Sequence, residues 1–396
     1  MAFSPSPAPV AVYAGAWMGA HAVGLQRPGQ APSPLAPLQS TLPYRTHPAS
    51  SPMQIELILP GLSWLAGSPG KHPSSPLHLP ALATLLGLSR SRWAPPRATD
   101  ALLADRLGLA GEVSHALLRR SGELSPPASG GHWLCCDPVH LHFARDTLLL
   151  ADASGLAISR QEADTLMAGL NDMFSDIGHF EAPTPERWYV HLAERPEPRF
   201  HPLADVNGRP VQLFLPEGND VGRWARLSNE LEVWLHSHGV NAAREAAGQR
   251  TINGIWLWGA GPDHAPCSPK VAAVHASQPF ALGLARMAGV TVSPASRYTP
   301  SSGTLLVLVD TLQRPALHQD GEAWVNELCQ LEANWFAPIL AELKARRLTG
   351  VSIRVPDDRH LLEADIHASS LWKFWRKPRP LADLLASAPQ PDTVSP

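Results

Sequence analysis

The sequence is poor in charge and lacks the marks of several protein classes. Asp, Glu, Lys and Arg make up 17% of its 396 residues, against about 25% in an ordinary soluble domain. The formal net charge is −3, and the absence of a basic excess argues against a general nucleic-acid-binding protein. No apolar run reaches the roughly 18 residues that a membrane-spanning helix needs. We therefore expect a cytoplasmic protein with no membrane partner.

Cysteine is scarce, and its positions do not have the spacing of a zinc site. The four residues are Cys135, Cys136, Cys267 and Cys329. The first two are adjacent, which is a poor geometry for a disulfide bond. We expect reduced thiols, which agrees with a cytoplasmic location.

The first 52 residues contain no Asp or Glu and hold ten Pro. Such a segment buries too little apolar surface to order itself, so we predict a disordered leader over 1–52. A secretory signal is not indicated, because no basic residue precedes Arg27. Met53 then opens MQIELILPGL, a predicted strand. Either translation starts at Met53 and the leader is an upstream extension, or the chain starts at Met1 with a genuine disordered tail.

Proline is abundant, and apolar runs alternate with amphipathic segments from Met53 onward. The 41 Pro are about twice the average usage, which is typical of many short elements with rigid connections. Runs that are apolar throughout indicate strands covered on both faces, as in a mostly parallel sheet. The predicted strands are Ile55–Leu59, Thr147–Ala151, Val211–Leu215, Ile255–Trp258, Leu305–Val309 and Val351–Val355.

Three helices are predicted from capping residues followed by apolar side chains at helical spacing. Ser159 and Glu162 form a capping-box pattern. Asp220 precedes a second helix, and Asp320 precedes a third that Pro338 should kink. Strands alternating with such helices indicate an α/β fold.

Five stretches, taken in order, resemble the archaeal-type, cofactor-independent phosphoglycerate mutases. They are WLCCDPVHL (133–141), RWYVHL (187–192), HPLADVNGRPV (201–211), GQRTINGIWLWGAG (248–261) and VPDDRHLLEADIHASSLWKFWRKPRPL (355–381). The resemblance covers about 132–381, and more weakly 53–110. The RpfE-type regulatory group, which looks like a divergent bacterial branch of those mutases, is more similar still.

This resemblance implies a fold and a division of the chain. The fold is α/β, an alkaline-phosphatase-like core with a mostly parallel sheet and an inserted smaller α+β domain. The implied division follows the leader with 53–130 as the first part of the core, 131–215 as the inserted domain, 216–381 as the rest of the core, and 382–396 as a disordered tail.

The resemblance also implies a chemistry, a two-metal phosphoryl transfer in which a Ser or Thr takes the phosphoryl group. The first strand should end in Asp-Gly, but it ends in Pro60-Gly61. Thr99, before Asp100, stands near the place of the nucleophile. Thr99 equally suits the N-cap of the helix that follows it.

The implied metal ligands are only partly kept. His318 follows the strand Leu305–Val309, but Arg314 stands four residues before it where an Asp is expected. An Asp-His pair reads Asp357-Asp358, and His367 stands for the terminal His. Since a guanidinium repels a cation, Arg314 replaces a ligand rather than supplying one.

Arg314 should then serve as a fixed charge in the metal's place. We expect its guanidinium to lie within salt-bridge reach of Asp357 or Asp310. A substrate-binding residue is missing as well. Cys135 stands where the resembling family has an Arg, and no nearby basic residue replaces it.

Two more segments have alternative interpretations. Gly259-Ala260-Gly261 is too short for a phosphate-binding loop, and we interpret it as a turn leaving a buried strand beside the cleft. The segment LWKFWRKPRPL (371–381) mixes Trp with Lys and Arg. It could bind an acidic partner or nucleic acid, or it could pack its Trp against the core with its charges solvated.

Two functions are compatible with these features. One is a non-catalytic regulatory or scaffolding protein, with no cofactor and an unidentified protein partner. The other is a metal-dependent phosphoglycerate mutase or phosphatase that uses Thr99 with Mn²⁺ or Mg²⁺ held by His318, Asp357, Asp358 and His367.

Overall fold

The computed structural model describes residues 53–64, 77–123, 131–263, 265–373 and 375–389. The predicted leader, 1–52, lies outside the described residues, as does 390–396. Within them the elements are β1 (Gln54–Ile58), α1 (Pro80–Leu88), β2 (Arg90–Ala94), α2 (Thr99–Arg106), α3 (His115–Glu123), β3 (His132–Ala144), β4 (Thr147–Ala151), α4 (Arg160–Met173), β5 (Gly178–Thr184), β6 (Arg187–Leu192), α5 (Leu203–Val206), α6 (Val221–Ser237), α7 (Gly239–Ala246), β7 (Gly254–Trp258), β8 (Ala273–His275), α8 (Pro279–Met287), β9 (Thr291–Ser293), β10 (Thr304–Leu308), α9 (Gln313–Leu317), α10 (Gly321–Leu331), α11 (Ala337–Lys344), β11 (Gly350–Pro356), β12 (Leu361–His367) and α12 (Leu381–Leu385).

Seven of the described strands form one largely parallel sheet. Their order is β2-β12-β11-β1-β10-β8-β9. The five strands from β11 to β9 run parallel, β12 is antiparallel to its neighbours β11 and β2, and β2 therefore runs in the same direction as the five. The predicted α/β class with a mostly parallel sheet is confirmed. No helix among the described residues is long and apolar enough to cross a membrane.

Both faces of the central strands are covered, which fits the apolar sequence of β10. Alternate residues of a strand point to opposite faces, so Leu57 packs with Trp324 and Trp335 on one side. Ile58 packs with Leu103 and Phe280 on the other.

The remaining described strands form an antiparallel sheet, in the order β4-β3-β6-β5 with β7 also paired to β3. Helices α4 and α6 pack against it through Leu166, Leu170, Leu227 and Leu231. The capping box of α4 is present in full, with Ser159 and Glu162 bonding each other's backbone amides.

β7 differs from the prediction, which placed the run Ile255–Trp258 among the strands of the parallel sheet. It pairs instead with Cys135–Val139 of β3. β3 has 13 residues, long enough to pair with β6 at its start and with β7 farther on. The inserted domain at 131–215 stays a proposal. Because α6 and β7 pack with the antiparallel sheet, its carboxyl-terminal boundary is better placed near 262 than at 215.

Two other predicted segments differ in conformation. The predicted strand Val211–Leu215 is a short 3₁₀ helix, Val211–Leu213. Pro210 and Pro216 flank it and cannot donate to a strand ladder. The predicted tail 382–396 begins inside α12, because Leu384 and Leu385 are buried against the core.

The third predicted helix begins where expected, and its α-helical hydrogen bonding is interrupted just before Pro338. Asp320 accepts a hydrogen bond from the amide of Ala323. A π-helical turn, Glu332–Phe336, precedes α11. Pro338 cannot bond the Asn334 carbonyl four residues back, and the amide of Tyr298 donates to that oxygen instead, at 2.9 Å.

Candidate functional site

The carboxyl ends of β11, β1 and β10 lie side by side and define the candidate site. Ile58 is opposite both Leu308 and Arg354. This register brings the residues after the three strands to one edge of the sheet, where open α/β sheets bind ligands. Those residues are Asp357 after β11, Pro60 after β1 and Asp310 after β10.

Asp357 has both carboxylate oxygens engaged within the protein. The hydroxyl of Ser63, which is 3% exposed, donates to Oδ2 at 2.5 Å. The backbone amide of Arg359 donates to Oδ1 at 3.0 Å. Neither Ser63 nor Asp310 belongs to the predicted ligand set. Asp310 could have been found from its place directly after the strand Leu305–Val309, and burial raises its pKa.

The turn that replaces the expected Asp-Gly is tightly packed. Gly61 has φ +84°, and a Cβ there would lie 2.6 Å from the carbonyl oxygen of Leu312. The indole of Trp324 donates to the Gly61 carbonyl at 2.9 Å. The loop after β1 is thus closed against the loop after β10.

Arg314 and His318 turn away from this edge, towards the antiparallel sheet. Arg314 donates to the carbonyl of Ser154 at 3.2 Å. The His318 Nε2 lies 3.4 Å from the Ser154 hydroxyl. The prediction of a salt bridge from Arg314 to Asp357 or Asp310 is therefore wrong. The chain reverses after Asp310, and the short helix α9 directs its side chains elsewhere.

The other predicted ligands do not meet Asp357. His367 is paired with Gly350, at the amino end of β11, whereas Asp357 follows its carboxyl end. β11 has seven residues, so at about 3.3 Å per residue the two side chains are roughly 20 Å apart. Asp358 is exposed. Hence His318, Asp357, Asp358 and His367 are not assembled into one site.

The donor set does not fit a two-cation centre. Among the described residues no group of three or more His, Cys, Asp or Glu side chains is arranged to hold a metal ion. The expected positions carry a proline turn, a guanidinium bound to a carbonyl, and a carboxylate already bonded by a serine.

Thr99 is the first residue of α2 rather than its cap. The N-cap is Ala98, with no side-chain hydrogen bond, so the capping interpretation of Thr99 is wrong. Next to it, Asp100 Oδ2 lies 3.5 Å from Nδ1 of His115. Burial raises the pKa of Asp100 to about 6. Burial, assisted by the charge of Arg119, lowers the pKa of His115 to about 3.

His115 is held between aromatic rings at the start of α3. Its ring stacks on Phe280 at a centroid distance of 4.2 Å and is tilted against Trp258 at 4.5 Å. A neutral imidazole beside a carboxyl group of raised pKa could share a proton. The described contacts do not link Thr99 to that pair.

The Gly-Ala-Gly turn packs against the amino terminus of α3. The amide of Ala116 donates to the Gly259 carbonyl at 3.0 Å, and that of Ser114 donates to the Pro262 carbonyl at 2.8 Å. The hydroxyl of Ser114 accepts from the amide of Leu117 at 3.1 Å. These helix-terminal amides are the groups that would bind a phosphate, and carbonyl and hydroxyl oxygens already occupy them.

A buried ionic network lies between α3 and the antiparallel sheet. Arg119 makes a bidentate pair with Asp137, at 2.8 and 2.7 Å. Asp137 also accepts from the indole of Trp258 at 2.8 Å. Arg119 donates to the hydroxyl of Tyr189, which donates to Glu123, each at 2.8 Å. The network is satisfied by the protein itself.

Arg119 corrects the expectation that no basic residue replaces the Arg expected at position 135. Its guanidinium comes from α3 and lies next to the buried Cys135, whose pKa is raised by burial and lowered in part by that charge. It was not predicted because α3 and β3 meet only in the folded chain. Since Asp137 neutralises it, this cation is not free for an anionic substrate.

Comparison with known proteins gives short, low-identity matches, and no family model matches the chain. It is 33% identical over 115 residues to a 2,3-bisphosphoglycerate-independent phosphoglycerate mutase 2 of Methanothermobacter thermautotrophicus, covering 28% of this chain and 29% of that protein. A second such mutase, of Methanothrix thermoacetophila, is 36% identical over 69 residues, 17% of each chain. A third, of Methanosarcina barkeri, is 28% identical over 132 residues, 32% of this chain and 31% of that protein.

The chain thus spans less than a third of the length of the curated relatives it matches. Solved structures give weak likenesses: a Pyrococcus horikoshii protein has a TM-score of 0.48 at 13% identity, covering 80% of this chain and 88% of that one. The cofactor-independent phosphoglycerate mutase of Thermoplasma acidophilum has a TM-score of 0.35 at 14% identity, covering 80% and 90%. The sequence matches establish distant homology to archaeal-type 2,3-bisphosphoglycerate-independent phosphoglycerate mutases.

Proposed function

We propose that this phosphoglycerate-mutase-like protein is a non-catalytic regulatory or scaffolding protein of the cytoplasm, of the RpfE-type group. In this proposal the two-metal site has been lost and the fold retained. The division into a core and an inserted domain belongs to the same proposal. The distant homology to the mutases supports the ancestry.

The closed carboxyl edge of the parallel sheet is the observation that carries the proposal. A two-metal centre needs carboxylates and imidazoles with free oxygens and nitrogens converging on one point. Here the retained Asp357 is bonded by Ser63. The Pro60-Gly61 turn abuts the backbone of Leu312. The other predicted ligands do not converge on this carboxylate, since His318 lies against Ser154 and His367 is at the far end of β11.

A metal-dependent mutase or phosphatase that uses Thr99 is the alternative, and it is not favoured. It requires His318, Asp357 and His367 to converge on one cation. His318 lies against Ser154, and His367 is at the opposite edge of the sheet from Asp357.

The test is a metal and activity measurement on the full chain. The purified protein is loaded with Mn²⁺ or Mg²⁺, dialysed and analysed for bound metal, and its melting temperature is recorded with and without the ion. We expect no tightly bound divalent metal and no metal-dependent rise in melting temperature, since only an ion that binds the folded state raises it.

Turnover is then assayed with 2- and 3-phosphoglycerate and with a generic phosphate monoester. The proposal predicts none above a no-protein control. Metal-dependent turnover that disappears in Thr99→Ala and persists in Thr165→Ala, a matched Thr on the outer face of α4, would overturn it.

A further inference from the structure

Two tryptophans stand exposed beside basic side chains near the end of β12. Trp372 is 70% exposed and Trp375 is 66% exposed, although tryptophan is usually highly buried. The guanidinium of Arg346 lies 5.4 Å from the centre of the Trp372 ring, within cation–π range. We call the side chains of Arg346, Trp372, Lys373, Trp375 and Lys377 the Trp-Arg surface.

The backbone that carries this surface is fixed to the core. The amide of Ala368 donates to the carbonyl of Thr349 at 3.0 Å, where β12 gives way to a 3₁₀ helix. Arg376 turns inward and donates to the carbonyls of Leu88 and Ser89 at 3.0 and 2.7 Å, which caps the end of α1. The amide of Arg379 donates to the Ala83 carbonyl at 2.8 Å.

Trp372 and Trp375 keep most of their surface exposed, contrary to the interpretation in which segment 371–381 packs its Trp against the core. Leu371 and the side chain of Arg376 face the rest of the protein instead. Because the described residues on either side of position 374 are hydrogen-bonded to the core, a partner would not need to order them on binding, which favours affinity.

The charge around the two tryptophans has one sign. Positions 344–347 hold three basic residues and positions 371–379 hold four, with no Asp or Glu in either stretch. The neighbouring Glu342 is engaged by Arg347 at 2.6 and 2.7 Å. A chain with a formal net charge of −3 thus carries a local positive patch with an aromatic centre.

We propose that the Trp-Arg surface binds an acidic segment of a partner protein. An apolar side chain of that segment packs on Trp372, and its carboxylates pair with Arg346, Lys373 and Lys377. Trp and Arg are the residue types that dominate binding energy in protein interfaces. Opposite charges around such an anchor set the orientation and speed the encounter.

The structure and sequence favour this occupant over two others. Nucleic acid needs a basic track along several phosphates and a basic domain, whereas this patch is compact and the chain is net acidic. The chain's own first 52 residues contain no Asp or Glu, so they do not complement its charge.

The inference does not depend on the proposed lack of catalysis. His367, five residues before Trp372, lies beside the amino end of β11, whereas Asp357 follows the carboxyl end of that strand. A partner on the Trp-Arg surface would leave the candidate site uncovered, so binding and turnover can be tested separately.

The experiment measures the binding of labelled probes to the full chain by fluorescence anisotropy. The probes are a short peptide of alternating Glu and Leu, the same peptide with Lys for Glu, oligo(dT), and phosphatidylserine vesicles followed by sedimentation. We expect the acidic peptide to bind and the basic peptide to fail. Trp372→Ala and Arg346→Gly should each weaken binding about tenfold or more.

Matched controls lie on the β3–β4 hairpin. Phe143 is 75% exposed, and Arg145 has φ 56°, close to the 58° of Arg346. Arg346→Gly and Arg145→Gly both remove a guanidinium and relieve a positive φ, so neither should lower the melting temperature. Phe143→Ala and Arg145→Gly should leave the affinity for the acidic peptide unchanged.

Three outcomes would overturn the proposal. One is no binding of the acidic peptide. Another is equal weakening by the hairpin controls, which would indicate nonspecific attraction. The third is tighter binding of oligo(dT) or of vesicles that Trp372→Ala abolishes, which would assign the surface to nucleic acid or to a lipid headgroup.

Discussion

At the scale of single residues, Asp137 is the side chain whose environment is most demanding. It is 1% exposed and accepts hydrogen bonds from Arg119, Trp258 and the amide of Trp188. Desolvating a carboxylate costs several kcal/mol unless its partners compensate. The network therefore holds together as a unit, and removing one member leaves a charge buried without a partner.

We predict that Asp137→Ala lowers the free energy of unfolding by about 3–5 kcal/mol, the usual cost of breaking a buried pair. Urea unfolding measures it. The matched control is Asp164→Ala, which breaks the exposed pair with Arg160 at 3.4 Å and should cost under about 1 kcal/mol. Equal costs for the two variants would show that Asp137 is not held in a dry network.

His115 and Asp100 make a second residue-scale prediction, on pH. The folded pKa of His115, about 3, is below its ordinary 6.5. Below pH 6.5 the unfolded chain therefore binds a proton that the folded chain refuses, and stability falls. The folded pKa of Asp100, about 6, is above its ordinary 3.8. Its contribution has the opposite sign: it is present below pH 3.8 and is lost as the pH rises through 6.

As the pH falls from 6 to 4, the His115 contribution lowers the free energy of unfolding and the Asp100 contribution raises it. Asp100 is partly exposed, so its contribution is the smaller one. The free energy of unfolding of the wild type should therefore fall gently. We expect Asp100→Asn to lose it more steeply, approaching about 1.4 kcal/mol per pH unit. His115→Phe, which keeps a ring on Phe280, should not lose it. Urea unfolding across this range decides, and identical slopes in both variants would refute the assignment.

At the scale of elements, the turn after β7 explains its glycines by packing rather than by a ligand. A Cβ on Gly261 would lie 2.6 Å from the amide nitrogen of Ser114, which donates to Pro262. The backbone of this turn approaches the start of α3 so closely that a side chain does not fit.

We predict that Gly261→Ala destabilises the protein by about 1–3 kcal/mol, as overpacking does. Gly222→Ala is the control, since a Cβ at that position in α6 meets no atom within 4 Å. There the change should be neutral or stabilise by about 0.4–1 kcal/mol, because Ala restricts the unfolded chain. Thermal unfolding of the two variants measures the difference, and a tolerated Gly261→Ala would mean that the turn and α3 can separate.

The helices and strands also show which features a sequence pattern can predict. The caps at Ser159 and Asp320 follow from local chemistry, and both form. The run Ile255–Trp258 reads as a strand, and it is one. Its partner could not be predicted, because a run apolar on both faces fits a parallel or an antiparallel sheet equally well.

At the scale of the whole molecule, the sequence again predicts the position of some candidate-site residues and not of others. Asp357 and Asp310 follow strands, and strand ends gather at one edge, so their position is predictable. Arg314 and Arg119 sit on helices, and His318 directly follows α9. Whether a helical side chain reaches that edge depends on how the helix packs, which residue spacing does not encode.

α3 packs against both sheets. Leu118 packs in the core beneath the parallel sheet, while Ala116 and Leu117 pack with Trp133 and Tyr189 of the antiparallel sheet. α3 also crosses α8, and the two backbones are in direct contact at the crossing. A Cβ on Gly122 would lie 1.8 Å from the Pro279 carbonyl oxygen, and one on Gly283 would lie 1.8 Å from that of Leu118.

This crossing should make the two sheets unfold together. We predict that wild-type urea transitions followed by Trp fluorescence and by far-UV circular dichroism coincide, as in a two-state system. Gly122→Val forces α3 from α8, so the two transitions should separate, and Gly283→Val should do the same from the other helix. Gly222→Val, in the open part of α6, should keep them coincident. If Gly122→Val and Gly283→Val also kept one coincident transition, the sheets would have to be coupled elsewhere, with the contact of Arg314 and His318 on Ser154 as the next link to break.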